Sequence, residues 1–258
     1  MTIAAFSLAR RLAAGEIVHT AWCGLPCPLI TETMARDGFS AVTIDQQHGL
    51  WDVAGTRDAI AAIHMAGAAP IVRVPVGDFA TVSRALDFGA EGVIAPMINT
   101  LAEARAFVAA AKYPPVGERS WGPHRALALA GMTDQKTYLD EANALTVTFA
   151  MIETRTALSN LDVIMATPGI DGVFLGPSDL SIALSGGTAL DPHSKEVEKE
   201  VDVIAKAAAK ANKIAGAYCA TAERANELTR RGYRFMAIGS DLGFLRGATT
   251  AVLQKLKG

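Results

Sequence analysis

No stretch of about 18 apolar residues occurs in this sequence, so a membrane-spanning helix is not expected. Charge of one sign is also missing. There are 24 Lys+Arg against 26 Asp+Glu, a formal charge of −2, and no basic run marks a nucleic-acid footprint. Cysteine is scarce: Cys23, Cys27 and Cys219 form an odd set, and the C-x3-C spacing of the first two has no second pair. Neither a disulfide framework nor a paired-cysteine zinc site is implied. The N-terminal stretch carries Arg10 and Arg11 in an amphipathic pattern but has no signal-peptide core. The expectation is a cytoplasmic, enzyme-sized protein.

Several catalytic signatures are absent too. There is no Walker loop and no G-x-S-x-G elbow. After the first strand candidate the chain reads CGLPCPL, which lacks the Gly-rich turn of a doubly wound dinucleotide fold. No lysine falls at the C-terminal end of a strand candidate, which disfavours a Schiff-base mechanism.

What is present is alternation. Half of the 258 residues are hydrophobic, enough for a large core, and the length suits two small domains or one barrel. Strands are expected at Ile17–Cys23, Ala41–Asp45, Pro70–Val74, Gly92–Met97, Thr146–Glu153, Gly172–Leu175, Ile214–Tyr218 and Phe235–Gly239. Amphipathic helical patterns lie between them, as at Val53–Ala66, Phe79–Phe88, Leu101–Ala111 and Lys195–Ala211. Gly38, Gly89, Gly169 and Gly232 each follow a helical stretch shortly before a strand. Repeated strand–helix alternation without a Pro/Ser linker predicts a single (β/α)8 TIM barrel over residues 1–258. One long irregular insertion, Tyr113–Gly131, is expected to be functional or disordered.

In a parallel barrel the chemistry sits at the C-terminal strand ends. The polar residues there are Asp45 and His48, Arg73, Glu153, Ser178 and Asp179, and Ser240 and Asp241. Glu153 and Asp179 each end an apolar run. Together they suit a hard divalent cation whose shell is completed by water and substrate oxygens. The structural alternative has Asp179 capping a helix that begins at Leu180 and Glu153 pairing with Arg155. His48 is either a general base, with Asp87 as a candidate orienter, or a solvated loop residue. Arg73 lies within the apolar run IVRVP, where it meets either a substrate anion or another barrel carboxylate. Nothing resembling a full phosphate cradle follows the last two strands, so a non-phosphorylated carboxylate substrate fits better.

The series IDQQHG, VRVP, ALDFGAEGVIAPM, YPPVGERS, IET, DGVFLGPSDLS and AIGSD resembles the metal-dependent (class II) pyruvate aldolases of the HpcH/HpaI family, over nearly the whole chain. The resemblance implies a reversible aldol addition of pyruvate or hydroxypyruvate to an aldehyde. It makes Glu153 and Asp179 the ligands of Mg2+ or Mn2+, with Co2+ or Zn2+ as alternatives. Arg73 would stabilise the enolate oxygen, and His48, oriented by Asp87, would transfer the proton. The turn Gly176–Pro177–Ser178 and its backbone amides would bind the 2-oxo acid carboxylate. Trp22 would line the pocket, and Asp45 would hold metal-bound water and the aldehyde end. Relatives carry Asp-x-Glu-His where this chain has Asp45-Gln46-Gln47-His48, so Gln47 removes a negative charge beside the site. RSWGPHRA also departs from the RG-x-G form of relatives, so acceptor specificity is not carried over. A homohexamer is implied, with the terminal helix Phe244–Leu256 reaching a neighbour; that segment equally suits an ordinary eighth barrel helix. The rival functions are a CoA-thioester lyase of the citrate lyase β-subunit type and a non-catalytic barrel that binds a 2-oxo acid.

Overall fold

The computed structural model describes residues 6–257. Eight strands, β1 (Val18–Cys23), β2 (Ala41–Asp45), β3 (Ala69–Arg73), β4 (Gly92–Ala95), β5 (Val147–Ile152), β6 (Gly172–Leu175), β7 (Ile214–Cys219) and β8 (Phe235–Ile238), pair in sequence order, all parallel. Pairing of β8 with β1 closes the barrel. The first helices are α1 (Leu8–Ala13), α2 (Pro28–Arg36), α3 (Val53–Met65), α4 (Phe79–Phe88) and α5 (Leu101–Ala111). They are followed by α6 (His124–Leu129), α7 (Gln135–Leu145), α8 (Arg155–Ser159), α9 (Leu161–Met165) and α10 (Pro177–Ser185). The last are α11 (Lys195–Lys210), α12 (Ala222–Arg230) and α13 (Asp241–Lys257). The predicted TIM barrel is therefore the fold. No helix among the described residues is long and apolar enough to cross a membrane.

The barrel interior is filled by pairing large side chains with missing ones. Phe149 stands opposite Gly172 in the register, and Phe174 and Phe235 flank Gly216. A Cβ on Gly172 would lie 2.7 Å from the Phe149 ring, so the glycine is the space the ring occupies. Phe149 and Phe235 stack at 4.6 Å, with Ile71 and Ile94 in the same buried cluster. Leu8 and Leu12 of α1 join that cluster and plug the end at which the strands begin. Buried Glu91 accepts the amides of Ser7 and Leu8, at 2.7 and 2.8 Å, at the start of α1. The other large cluster lies between the barrel and its helices.

All four helix-closing glycines have positive φ. At Gly89, φ is +107° and a Cβ would meet Leu129 Cδ1 at 2.5 Å, so both conformation and space require glycine. Four strands end earlier than the sequence pattern predicts, β3 and β8 by one residue and β4 and β5 at positions that shape the mouth. β4 stops at Ala95 because Met97 has φ +55°, and β5 stops at Ile152, releasing Glu153 toward the mouth. The Tyr113–Gly131 insertion is anchored rather than loose. Trp121 packs against Tyr113 and Tyr138, α6 lies on the barrel exterior, and buried Arg119 pairs with Asp87 at 2.6 Å.

Candidate active site

The C-terminal mouth holds a cavity of about 220 Å³. Trp22, His48, Arg73, Gly176, Pro177, Ser178 and Asp179 line it, bringing together residues from four strand ends. Met151, Phe174 and Tyr218 complete the wall. No lysine is among the lining residues. Lys112 is instead buried toward the opposite end of the barrel, bonded to Asp171 and to the carbonyls of Asn143 and Thr146.

Asp45 and Arg73 face each other directly across β2 and β3. Arg73 Nε donates to Oδ1 at 2.9 Å and Nη2 to Oδ2 at 2.7 Å, a two-point fork between buried groups. Trp22 Nε1 donates to the same carboxylate at 3.2 Å, and the amides of Gln47 and His48 reach Oδ1 at 3.0 and 3.3 Å. Burial raises the Asp45 pKa, but the Arg73 bonds and charge, the backbone amide and Trp22 outweigh it and hold the group below the usual carboxylate range. The guanidinium lies 4.7 Å over the Trp22 ring, which fixes its plane. The barrel-carboxylate partner of Arg73 is thus realised, while the guanidinium still lines the cavity, its Nη1 without a protein acceptor among the described residues. Asp45 thus anchors Arg73 and the turn to His48.

Glu153 is buried, and its Oε1 accepts the Met97 amide at 2.7 Å. Its Oε2 lies beside Gly176, where an added Cβ would stand 2.3 Å away. Burial pushes its pKa up to about 7. The Met97 amide opposes that rise, Asp179 adds to it, and Arg73 opposes it. Asp179 is exposed to the cavity in the first turn of α10, which begins at Pro177, earlier than expected, with Gly176 as a cap that makes no side-chain bond. Arg155 bonds the carbonyls of Ala183 and Leu184 at the end of α10 and does not pair with Glu153. The capping and pairing alternatives for the two carboxylates are therefore not what forms.

Two oxygen-donor carboxylates that repel one another, one desolvated and one open to the cavity, are a donor set that fits a hard divalent cation. No group of three or more His, Cys, Asp or Glu side chains converges among the described residues, so water and substrate oxygens would fill the remaining positions. Leu180 N makes the first helical bond to Gly176 O, at 3.0 Å. The amides of Ser178 and Asp179 ahead of it have no protein acceptor among the described residues, leaving a helix N-terminus open to an anion.

His48 stands exposed at the cavity rim, with no carboxylate within ion-pair distance among the described residues. Its expected orienter, Asp87, is held by Arg119 from the insertion, and no ion pair joins it to His48 within the chain among the described residues. An Asp near a helix end gives no sign in sequence of which way it faces. Gln47 Oε1 is buried without a hydrogen-bond partner among the described residues. Of the remaining strand-end pair, Asp241 accepts the Leu25 amide at 2.7 Å and Ser240 caps Gly243, so both are structural. The sequence reading missed Tyr218 and Met97. Tyr218 sits at a strand end, where the strand-end rule would have found it; Met97 contributes only backbone, which has no residue-type signature.

Residues 20–248 match the model of the HpcH/HpaI aldolase/citrate lyase family. The chain belongs to that family. Among its relatives is a hydroxypyruvate/pyruvate aldolase of Rhizorhabdus wittichii, 38% identical over 239 residues, covering 93% of this chain and 94% of that one. A 5-keto-4-deoxy-D-glucarate aldolase of Klebsiella pneumoniae is 33% identical over 248 residues, covering 95% and 94%. In structure, an HpcH/HpaI aldolase from Desulfitobacterium hafniense superposes with a TM-score of 0.91 at 28% identity, over 98% of this chain and 97% of that one.

Proposed function

We propose that this chain is a divalent-metal-dependent (class II) aldolase that reversibly adds the enolate of pyruvate or hydroxypyruvate to an aldehyde, giving a 4-hydroxy-2-oxo acid. It is a carbon–carbon lyase, in keeping with its aldolase relatives. The observation that carries the reading is one small cavity lined by Asp179, Arg73 and an open helix N-terminus, with the Glu153 carboxylate beside its wall residue Gly176. That cavity suits a small 2-oxo acid and has no basic cluster for coenzyme A phosphates, so the CoA-lyase reading is set aside.

Glu153 and Asp179 would hold the cation, Mg2+ or Mn2+ in the first instance, with Co2+ or Zn2+ as alternatives. When bound, it supplies Lewis acidity that stabilises negative charge on the oxygens of the 2-oxo acid. The Gly176–Pro177–Ser178 turn and the amides of Ser178 and Asp179 hold the substrate carboxylate. In the cleavage direction His48 takes the proton of the C4 hydroxyl as the C4–O bond becomes a carbonyl. The C3–C4 pair moves onto C3 and into the enolate, whose oxygen is stabilised by Arg73. The aldehyde leaves, and C3 regains a proton. Trp22, Phe174 and Tyr218 shield the enolate from bulk water.

Proton NMR of pyruvate in D2O tests this without a choice of aldehyde. The methyl signal should disappear with enzyme and Mg2+ or Mn2+, and persist with excess chelator or without enzyme. Persistence under all conditions, with the C3 protons of hydroxypyruvate equally unexchanged, would favour a barrel that only binds its ligand.

The assembly reading is a homo-oligomer, a hexamer by family resemblance. The terminal helix α13 exposes Leu242, Leu245, Val252, Leu253 and Leu256, and an apolar groove of about 670 Å³ runs past Leu29, Ile30, Met34, Phe39 and Phe244. An isolated chain would leave these surfaces wet, whereas a second copy would cover them. Leu245→Glu with Leu253→Glu should lower the mass measured by light scattering, and an unchanged mass would remove α13 from the interface. A cytoplasmic location accords with three free thiols.

A further inference from the structure

Asn99 lies outside the cavity and has no role in the chemistry above, yet every polar group it carries is engaged. Its amide donates to Glu103 Oε2 at 2.8 Å, and its carbonyl accepts Asn160 Nδ2 at 2.8 Å. Its side-chain Oδ1 accepts Thr154 Oγ1, and its Nδ2 donates to the Met97 carbonyl at 2.9 Å. Thr100 and Glu103 already form a reciprocal capping box, so the start of α5 does not depend on the Asn99 side chain. That side chain is directed to the two segments bordering Glu153, namely Met97 after β4 and Thr154 immediately after Glu153.

Met97 is the decisive link. It holds φ +55°, a conformation unfavourable for a residue with a side chain, and in it the Met97 amide donates to Glu153 Oε1 at 2.7 Å. A non-glycine residue keeps such a backbone only where its surroundings over-determine it. The Asn99 Nδ2 bond to the Met97 carbonyl restrains the same residue whose amide faces Glu153.

We propose that Asn99 is a positioning residue: it holds the Met97 amide on Glu153 Oε1 and thereby fixes the carboxylate for a divalent cation. The inference rests on the reading of Glu153 as a cation ligand. Without the clamp the Met97 backbone relaxes toward an extended conformation and the amide swings away. Glu153 then samples rotamers that do not face Asp179, and cation affinity falls although both carboxylates remain.

The test is a Mn2+ titration, reading free ion by electron paramagnetic resonance, on the wild type, Asn99→Ala, Glu153→Gln and the double variant. Asn99→Ala should weaken Mn2+ binding by about ten- to a hundred-fold, the range for partners that orient a metal ligand. In the Glu153→Gln background the same change should have no further effect, because there is no carboxylate left to position. Asn99→Leu, of the same branched shape though bulkier and without side-chain hydrogen bonds, serves as the second variant should alanine leave a void that prevents folding. Mn2+ affinity within twofold of the wild type in a folded Asn99 variant overturns the proposal. So does an equal loss in both backgrounds, or failure of both variants to fold, since either outcome marks a general structural role. A Glu153→Gln protein that binds Mn2+ as the wild type does overturns the ligand reading itself, and is recognisable as such because Asn99 takes no part in that comparison.

Discussion

Arg73→Ala should lower aldol turnover by at least about 10²–10³-fold, the cost of removing a donor from a developing oxyanion. Mn2+ affinity should stay within a few-fold, because neither Glu153 nor Asp179 bonds to Arg73. The same substitution leaves Asp45 buried and unpaired, which costs about 3–5 kcal/mol of stability for a broken buried pair. Activity is therefore to be read at a temperature where the variant is folded. The two effects separate by pH. In the wild type, Arg73 holds the Asp45 pKa below its ordinary value, so this contribution to stability is present above the ordinary value and is lost as pH falls through the lowered one. In the variant, burial dominates and the Asp45 pKa rises above its unfolded value. Stability is then retained at acidic pH and lost as pH rises through the raised value. Wild type and variant should converge in melting temperature toward acid pH and diverge toward neutrality. Arg73→Lys keeps the charge but not the two-point fork, so it should recover part of the stability and little of the turnover. Full turnover by folded Arg73→Ala would remove this residue from the chemistry.

Gly176→Ala should nearly abolish cation-dependent activity while leaving the barrel folded. Gly176 has φ −96° and ψ 90°, open to any residue, so the effect is one of space and not of backbone strain. The new methyl would stand 2.3 Å from Glu153 Oε2, 3.1 Å from Met151 Cε and 3.2 Å from Glu153 Cβ. Something must move, and the 2.3 Å contact makes it the carboxylate, since the other two are longer. Overpacking of this kind costs about 1–3 kcal/mol, and a displaced ligand should show as a Mn2+ affinity lower by about ten- to a hundred-fold. Gly186→Ala, at the far end of α10 with φ +67° and open space around its Cβ position, makes the control. It should lose a little thermal stability and no Mn2+ affinity. Equal Mn2+ binding by Gly176→Ala and wild type would show that Glu153 finds its place without that gap.

Strand–helix alternation and the repeated helix-closing glycines are local properties, written in side-chain periodicity and in backbone conformations that glycine alone accepts cheaply. The sequence by itself therefore determined the barrel, its strand order and the strand ends that bear His48, Arg73, Glu153 and Asp179. Arginine and glutamate within apolar runs announced themselves because such charges must meet something. What each one meets is a matter of direction, and only the tertiary structure decides it. The register of β2 on β3 set Asp45 across from Arg73 and joined them in a two-point fork. The folding of the Tyr113–Gly131 insertion onto the exterior set Arg119 against Asp87, a partner the sequence did not announce. Met97 escaped the sequence altogether, because its contribution is one N–H aimed by a left-handed turn. A backbone amide carries no residue type, and where it points depends on contacts with Asn99 and beyond.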